Sequence, residues 1–152
     1  MNNKITQFLF HKIFLFLRPL TLGVRGVCVD TQNNRILLVK HTYSNNWTLP
    51  GGGVEVNESV EGALKRELKE EVGFICQEIN ILGIYHNSSV SRRDHVAIYQ
   101  VKSWKKSQMH KRPKLEISKT KWFSIENLPS NLSESTLCAI NKYYDNLNEI
   151  GQ

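Results

Sequence analysis

The sequence predicts an α/β fold in which a mixed β-sheet is covered on both faces by helices. Short β-rich runs alternate with two segments of helical periodicity, one within the strand order and one near the end of the chain. The predicted strand 95–104 has apolar residues on both faces, as central strands covered on both sides do. With 152 residues, the chain is long enough to form one domain with its own hydrophobic core.

The sheet is predicted to begin with a β-hairpin. Two β-rich runs, 21–29 and 35–40, flank a polar turn. An extended piece at 47–49 follows, because Pro50 disfavours helical angles in the residue before it. Further strands are predicted at 75–85, 95–104 and 115–123.

Two amphipathic helices complete the pattern. The first is predicted to begin near Asn57, a favourable N-cap residue, and to end at Gly73, a favourable residue after a helix. Its apolar stripe recurs every three or four residues and consists of Val60, Ala63, Leu64 and Leu68. Ser133 is predicted to cap the second helix. The apolar stripe of that helix is predicted to be Leu137, Ile140, Tyr144 and Leu147.

Residues 1–19 are predicted to form an extension that packs on a domain of residues 20–150. The apolar run in this extension carries His11, Lys12 and Arg18, is too short to span a bilayer, and is followed by no cleavage site. A signal peptide or a membrane-surface helix is therefore disfavoured, and we expect no membrane partner. The three cysteines are widely spaced and form no metal-binding pattern, which favours reduced thiols and a cytoplasmic protein.

An unusual density of acid marks the last turns of the first helix. Glu67, Glu70 and Glu71 lie at helical spacings that place their carboxylates on one face, where they repel each other. Such a face must be solvated or must receive a cation. The ligands available are oxygens, including the carbonyl of Gly51 in the preceding glycine turn, so Mg²⁺ is favoured over zinc, with Mn²⁺ as a substitute.

This arrangement suits the hydrolysis of a pyrophosphate. Divalent cations neutralise phosphate oxygens and lower the pKa of bound water, and a further carboxylate can act as a general base. The net charge of +6 and the pI of about 9.3 would steer an anionic substrate, although a positive charge also serves solubility.

The same segment resembles the Nudix box in full. The matching positions are Gly52, Glu58, the run Arg66-Glu67-Leu68-Lys69-Glu70-Glu71, and Val72-Gly73-Phe74, all at the spacing of the box. The resemblance implies a Nudix-type α/β/α sandwich with a mixed β-sheet, and cleavage of a nucleoside diphosphate linked to another moiety. It implies metal ligands at Gly51, Glu67, Glu70 and Glu71, and orienting or structural roles for Gly52, Glu58, Arg66 and Gly73.

Outside the box, Glu116 is the candidate for the additional carboxylate that many members of the family supply from a distant strand. The candidate catalytic residues are then Glu67, Glu70 and Glu116. An exposed strand glutamate without a role is the alternative for Glu116. Candidate substrate-binding residues are Arg25, Lys40, His41, Arg92 and Arg93; the alternatives are an ion pair for Arg25 and solvated positions for the others.

The leading interpretation is a Mg²⁺-dependent pyrophosphohydrolase acting on a small nucleotide derivative. A nucleotide, a nucleotide sugar, an ADP-ribose-like compound and a dinucleoside polyphosphate all stay open as substrates. Removal of pyrophosphate from RNA 5′ ends is a second hypothesis, and a non-catalytic Nudix-fold ligand-binding module is a third. The complete set of box glutamates disfavours the third. No DNA partner is expected, and a homodimer stays open because homodimers are common in the family.

Overall fold

The computed structural model describes residues 20–89, 91–108 and 116–150, so the predicted N-terminal extension 1–19 lies outside the described residues. Six strands and two helices lie within those ranges. They are β1 (Thr21–Asp30), β2 (Arg35–His41), β3 (Trp47–Thr48), α1 (Val60–Val72), β4 (Phe74–His86), β5 (Asp94–Lys106), β6 (Ile117–Ser124) and α2 (Glu134–Ile150). No helix among these residues is both long and apolar enough to cross a membrane.

The strands form a mixed sheet with the order β3-β2-β1-β5-β4, and β6 pairs with β2. β1 and β5 are parallel, whereas the other pairs are antiparallel. The predicted hairpin, the predicted strands and the central position of β5 are confirmed. The sheet therefore has the mixed character that the sequence predicts.

Side chains that point alternately to the two faces of the sheet divide the core into two layers. Val24, Ala97 and Tyr99 pack with α1 on one face of the sheet, together with the buried Ala63, Leu64 and Leu68 of that helix. Val27, Val96 and Ile98 pack with α2 on the other face. Since successive side chains of a strand point to opposite faces, one strand supplies both layers. The predicted α/β/α sandwich is confirmed.

The first turn of α1 differs from the prediction. Ser59 is the N-cap, because its backbone is extended and its hydroxyl accepts a hydrogen bond from the amide of Gly62 at 3.0 Å. Asn57 instead has a positive φ of 65° and belongs to the preceding turn. Gly73 ends the helix in the left-handed conformation with φ 72°, as predicted.

The buried face of α2 is rotated relative to the predicted stripe. Ser133 caps this helix as predicted, since its hydroxyl accepts from the amide of Thr136 at 3.3 Å. Leu137 and Leu147, however, are 48% and 41% exposed. The buried residues are Thr136, Ala139, Ile140 and Tyr143, which recur at spacings of three and four. The small side chain of Ala139 faces the sheet where the sequence pattern favoured leucines.

Candidate active site

Backbone hydrogen bonds hold the glycine turn after Pro50 against β1. The amide of Val24 donates to the carbonyl of Gly52 at 2.8 Å, and the amide of Gly26 donates to Pro50 at 2.9 Å. Gly51 has φ 137°, and a Cβ there would collide with the Val24 carbonyl, so only glycine fits. The turn is thereby held between β1 and the C-terminal half of α1.

Gly51 uses both of its backbone groups in this position. Its amide donates to Oε2 of Glu71 at 2.7 Å, and its carbonyl accepts a hydrogen bond from the guanidinium of Arg25. A carbonyl has two lone pairs, so this contact leaves one available. The predicted role of the Gly51 carbonyl as a metal ligand stays a prediction.

Arg66 connects the acidic face of α1 to the loop before it. Its guanidinium binds Glu58 in a bidentate manner, with both donor–acceptor distances at 3.0 Å. It also donates to Glu67 at 2.7 Å, to Glu70 at 3.4 Å and to the carbonyl of Gly53 at 3.0 Å. The cation that the crowded carboxylates require is thus supplied in part by the helix itself.

The three box glutamates occupy different environments. The side chain of Glu70 is 56% exposed, that of Glu67 is 14% exposed, and that of Glu71 is 2% exposed. Burial raises the pKa of Glu67, opposed by the hydrogen bond from Arg66. Burial raises the pKa of Glu71 to about 8, although the amide of Gly51 and the charge of Arg25 favour its ionised form.

Glu71 forms a second group with His41 and Glu116. One potential ligand atom from each of these residues lies within 4.8 Å of the others. His41 ends β2 and Glu116 precedes β6, and the amide of Thr42 donates to the carbonyl of Glu116 at 2.8 Å. The pairing of the two strands shifts register between Lys40 and His41, and such bulges re-aim side chains.

The structure fits a divalent cation at this group. Oε1 of Glu71 is buried without a hydrogen-bond partner in the described part of the chain, and so is Nδ1 of His41. A buried, unpaired carboxylate oxygen is costly unless a proton or a metal ion satisfies it. Glu71 and Glu116, with the adjacent Glu67, supply oxygens of the kind that Mg²⁺ and Mn²⁺ bind.

The candidate substrate residues are not all brought together. Arg25 lies beside the group, because its guanidinium donates a hydrogen bond to the carbonyl of Gly51. Burial lowers the pKa of His41, and the charge of Arg25 lowers it further. Lys40 shares the strand alternation of Leu38, which packs in the α2 layer, so its side chain is directed away from α1. Arg92 and Arg93 are exposed, and the carbonyl of Arg93 accepts from Thr21 at the start of β1.

A second cleft, which the sequence does not predict, lies at the opposite end of β2. Phe74 stacks on Trp104 with ring centroids 5.1 Å apart, and Trp104 lies 6.2 Å from Trp122. Arg35 lies over the ring of Trp122, and Lys102 and Lys106 also line the cleft, whose volume is about 390 Å³. The three aromatic residues come from different strands, so no local sequence motif reveals them.

Comparisons with known proteins identify the family of the chain. The profile of the NUDIX domain family matches residues 19–141, which is most of the chain. The chain belongs to the Nudix family. Two solved Nudix structures share the fold. The MutT Nudix hydrolase of Burkholderia pseudomallei has a TM-score of 0.69 and 25% identity over 80% of this chain and 96% of that chain. The Nudix hydrolase of Nitrosomonas europaea has a TM-score of 0.72 and 21% identity over 84% and 90%.

Curated relatives of this Nudix protein carry different names. An ADP-ribose pyrophosphatase of Methanocaldococcus jannaschii is 39% identical over 88 residues, which are 56% of this chain and 50% of that protein. Diphosphoinositol polyphosphate phosphohydrolase 2 of Rattus norvegicus is 34% identical over 111 residues, covering 68% and 59%. An RNA pyrophosphohydrolase of Ruthia magnifica is 39% identical over 57 residues, covering 38% and 32%. The chain thus spans 50% of the length of the first relative and 59% of the length of the second.

Proposed function

We propose that this Nudix protein is a cytoplasmic Mg²⁺-dependent pyrophosphohydrolase, with Mn²⁺ as a substitute ion. Its substrate is a nucleoside diphosphate linked to another moiety, such as a nucleotide, a nucleotide sugar or an ADP-ribose-like group. The observation that carries this proposal is the buried, unpartnered oxygen of Glu71, held beside the glycine turn at the acidic end of α1. The names of the relatives, which include an ADP-ribose pyrophosphatase, support the same class of reaction.

In this proposal, different residues of the site have different roles. Gly51 and Gly52 let the backbone approach α1, and Arg66 holds Glu67 and Glu70 in position. A divalent cation held by the Gly51 carbonyl and by Glu67, Glu70 and Glu71 would supply charge neutralisation and an activated water. Arg25 would offset the charge of a substrate phosphate, and its hydrogen bond to the Gly51 carbonyl, next to Glu71, supports this role. Glu67, Glu70 and Glu116 are the candidates for the general base.

A panel of nucleoside diphosphate derivatives, assayed in Mg²⁺ and in Mn²⁺, tests this proposal. The phosphomonoester products are detected as the inorganic phosphate that added alkaline phosphatase releases from them. The wild type should turn over at least one member, and Glu70→Gln should lose about a hundredfold or more in rate, as expected for a group that acts in the transition state. Glu61→Gln is the matched control, because Glu61 is exposed in the first turn of the same helix. Tight nucleotide binding without turnover of any member would instead support a non-catalytic ligand-binding module.

The aromatic cleft favours RNA 5′ ends as a second candidate substrate. Partly exposed aromatic rings next to cationic side chains can bind single-stranded nucleic acid, because bases stack on the rings and cations contact the phosphates. Trp104 and Trp122 are the partly exposed rings of this cleft, whereas Phe74 is buried beneath them. Arg35 in the cleft and His41 in the acidic group are the two ends of β2, about 20 Å apart at the usual rise of a strand. A 5′ end held at the acidic group would allow the following nucleotides to reach the cleft.

Hydrolysis of triphosphorylated RNA of increasing length distinguishes the two substrates. If RNA is the substrate, Lys106→Glu should raise the KM for longer RNA several-fold and leave the rate on a mononucleotide unchanged. Lys142→Glu provides the control, since Lys142 is an exposed lysine on α2. Equal effects of both variants on RNA and mononucleotide would remove the RNA hypothesis.

A further inference from the structure

His41 is more deeply buried than we expect for a side chain that contacts a substrate phosphate. It is only 7% exposed, and its ring stacks on Tyr43 with centroids 5.1 Å apart and planes inclined by 21°. Its Nε2 faces Oε1 of Glu71 at 3.9 Å. This distance is too long for a hydrogen bond, yet the buried carboxylate oxygen has no closer partner among the described residues.

A distance of this size is common between two atoms that bind one metal ion. With metal–ligand bonds of about 2.1 Å, two ligands of one ion lie roughly 3–4 Å apart. Glu116 adds a third ligand atom, and all three atoms lie within 4.8 Å of one another. His41 and Glu71 are buried, whereas Glu116 is exposed, so the group is rigid on one side and open on the other. An open side leaves positions for water or substrate oxygens.

We propose that His41 supplies a nitrogen ligand, together with Glu71 and Glu116, to a divalent cation, and that this nitrogen raises the affinity of the centre for Mn²⁺ relative to Mg²⁺, although Mg²⁺ also binds and supports the reaction. The proposal rests on the proposed function and departs from the all-oxygen site that the sequence predicts. Imidazole suits transition metals, whereas Mg²⁺ prefers oxygen ligands and keeps several waters. The β-bulge at His41 and the stack on Tyr43 hold the imidazole in place before any ion arrives.

Pulsed electron paramagnetic resonance of Mn²⁺ bound to the metal-stripped full chain tests this directly. The spectrum should show coupling to a ¹⁴N nucleus, and labelling the histidines with ¹⁵N should replace it with ¹⁵N coupling. His41→Gln should abolish the nitrogen coupling. His95→Gln should keep the nitrogen coupling. His95 also has a buried Nδ1 without a hydrogen-bond partner among the described residues, but it lies outside the cluster of His41, Glu71 and Glu116.

The affinities of the protein for Mn²⁺ and Mg²⁺ provide a second test, which does not depend on enzymatic activity. The wild type should bind Mn²⁺ more than about tenfold more tightly than Mg²⁺, and His41→Gln should lower the Mn²⁺ affinity about tenfold while changing the Mg²⁺ affinity much less. Bound Mn²⁺ without nitrogen coupling, or the absence of Mn²⁺ binding, would overturn the proposal. Should the ¹⁵N coupling appear in a protein that hydrolyses no diphosphate, the proposed function fails and the His41 ligand stands.

Discussion

The guanidinium of Arg66 binds the carboxylate of Glu58 through two hydrogen bonds of 3.0 Å each. This pair joins the middle of α1 to the loop that precedes it. The same guanidinium contacts Glu67 and the carbonyl of Gly53, so one side chain sets the position of the glycine turn relative to the acidic face. The resemblance to the Nudix box implies orienting or structural roles for Arg66 and Glu58, and these contacts are the kind that such roles require.

Arg66→Lys should lower the free energy of unfolding by about 1–3 kcal/mol, because a lysine cannot replace the bidentate contact and leaves charged groups less well satisfied. Urea denaturation measures this change. Arg92→Lys is the matched control: Arg92 is exposed in the loop between β4 and β5, so its replacement should cost less than about 1 kcal/mol. Equal losses in the two variants would contradict the central role of Arg66.

Gly52→Ala should damage activity more than stability. A Cβ at Gly52 would collide with the carboxylate of Glu67, which is the mobile end of a side chain and can shift, but only out of its place beside Arg66. We expect kcat/KM to fall at least about tenfold, which corresponds to about 1.4 kcal/mol of transition-state stabilisation.

Gly53→Ala is the control for that substitution, since a Cβ at Gly53 meets no atom within 4 Å. Its kcat/KM and its thermal midpoint should stay close to those of the wild type. A loss of activity as large as that of Gly52→Ala would show that the backbone of the turn, and not the contact with Glu67, is the sensitive feature.

The stability of the metal-free protein should fall as the pH rises from 6.5 to 8, above the range in which the lowered pKa of His41 acts in the opposite direction. Burial raises the pKa of Glu71 in the folded state to about 8, above its ordinary value of 4.5. Between these values the folded protein keeps a proton that the unfolded chain releases, so the free energy of unfolding decreases with pH, by at most about 1.4 kcal/mol per pH unit. Chemical denaturation after treatment with a chelator measures this slope.

Glu71→Gln should flatten that slope, because the amide has no proton to release in this range. Mn²⁺ should raise the thermal midpoint of the wild type more at pH 8 than at pH 6, since the ion competes with the proton for the same buried carboxylate. Identical slopes for wild type and Glu71→Gln would show that Glu71 ionises in the folded protein as it does in the unfolded one.

Local spacing was enough to predict the acidic face of α1, because helix geometry places residues three and four apart together. Glu116 was reached only through the family pattern, since its approach to Glu71 depends on the pairing of β2 with β6, which no local signal in the sequence specifies. His41 ends the strand that leads into the glycine turn, and this connectivity alone favours a contact with substrate phosphate. Burial against α1 and the bulge in β2 become visible only in three dimensions.

The start of α1 and the buried face of α2 were also only partly predictable from the sequence. Asn57 and Ser59 are both good N-caps by residue type, and the positive φ of Asn57 in the turn decides between them. In α2, the sequence pattern favoured the large Leu137, whereas packing against the sheet buries the smaller Ala139. Tertiary contacts therefore decided which of two comparable patterns was used.

The most direct test of the account is the dependence of hydrolysis on a divalent cation held by the box carboxylates. The best nucleotide substrate is assayed after removal of metal by a chelator, and Mg²⁺ or Mn²⁺ is then added back to the wild type and to Glu67→Gln. We expect no hydrolysis in the chelator, full recovery in the wild type, and recovery at least about a hundredfold lower in the variant. Hydrolysis that continues at the full rate in the chelator would contradict the account.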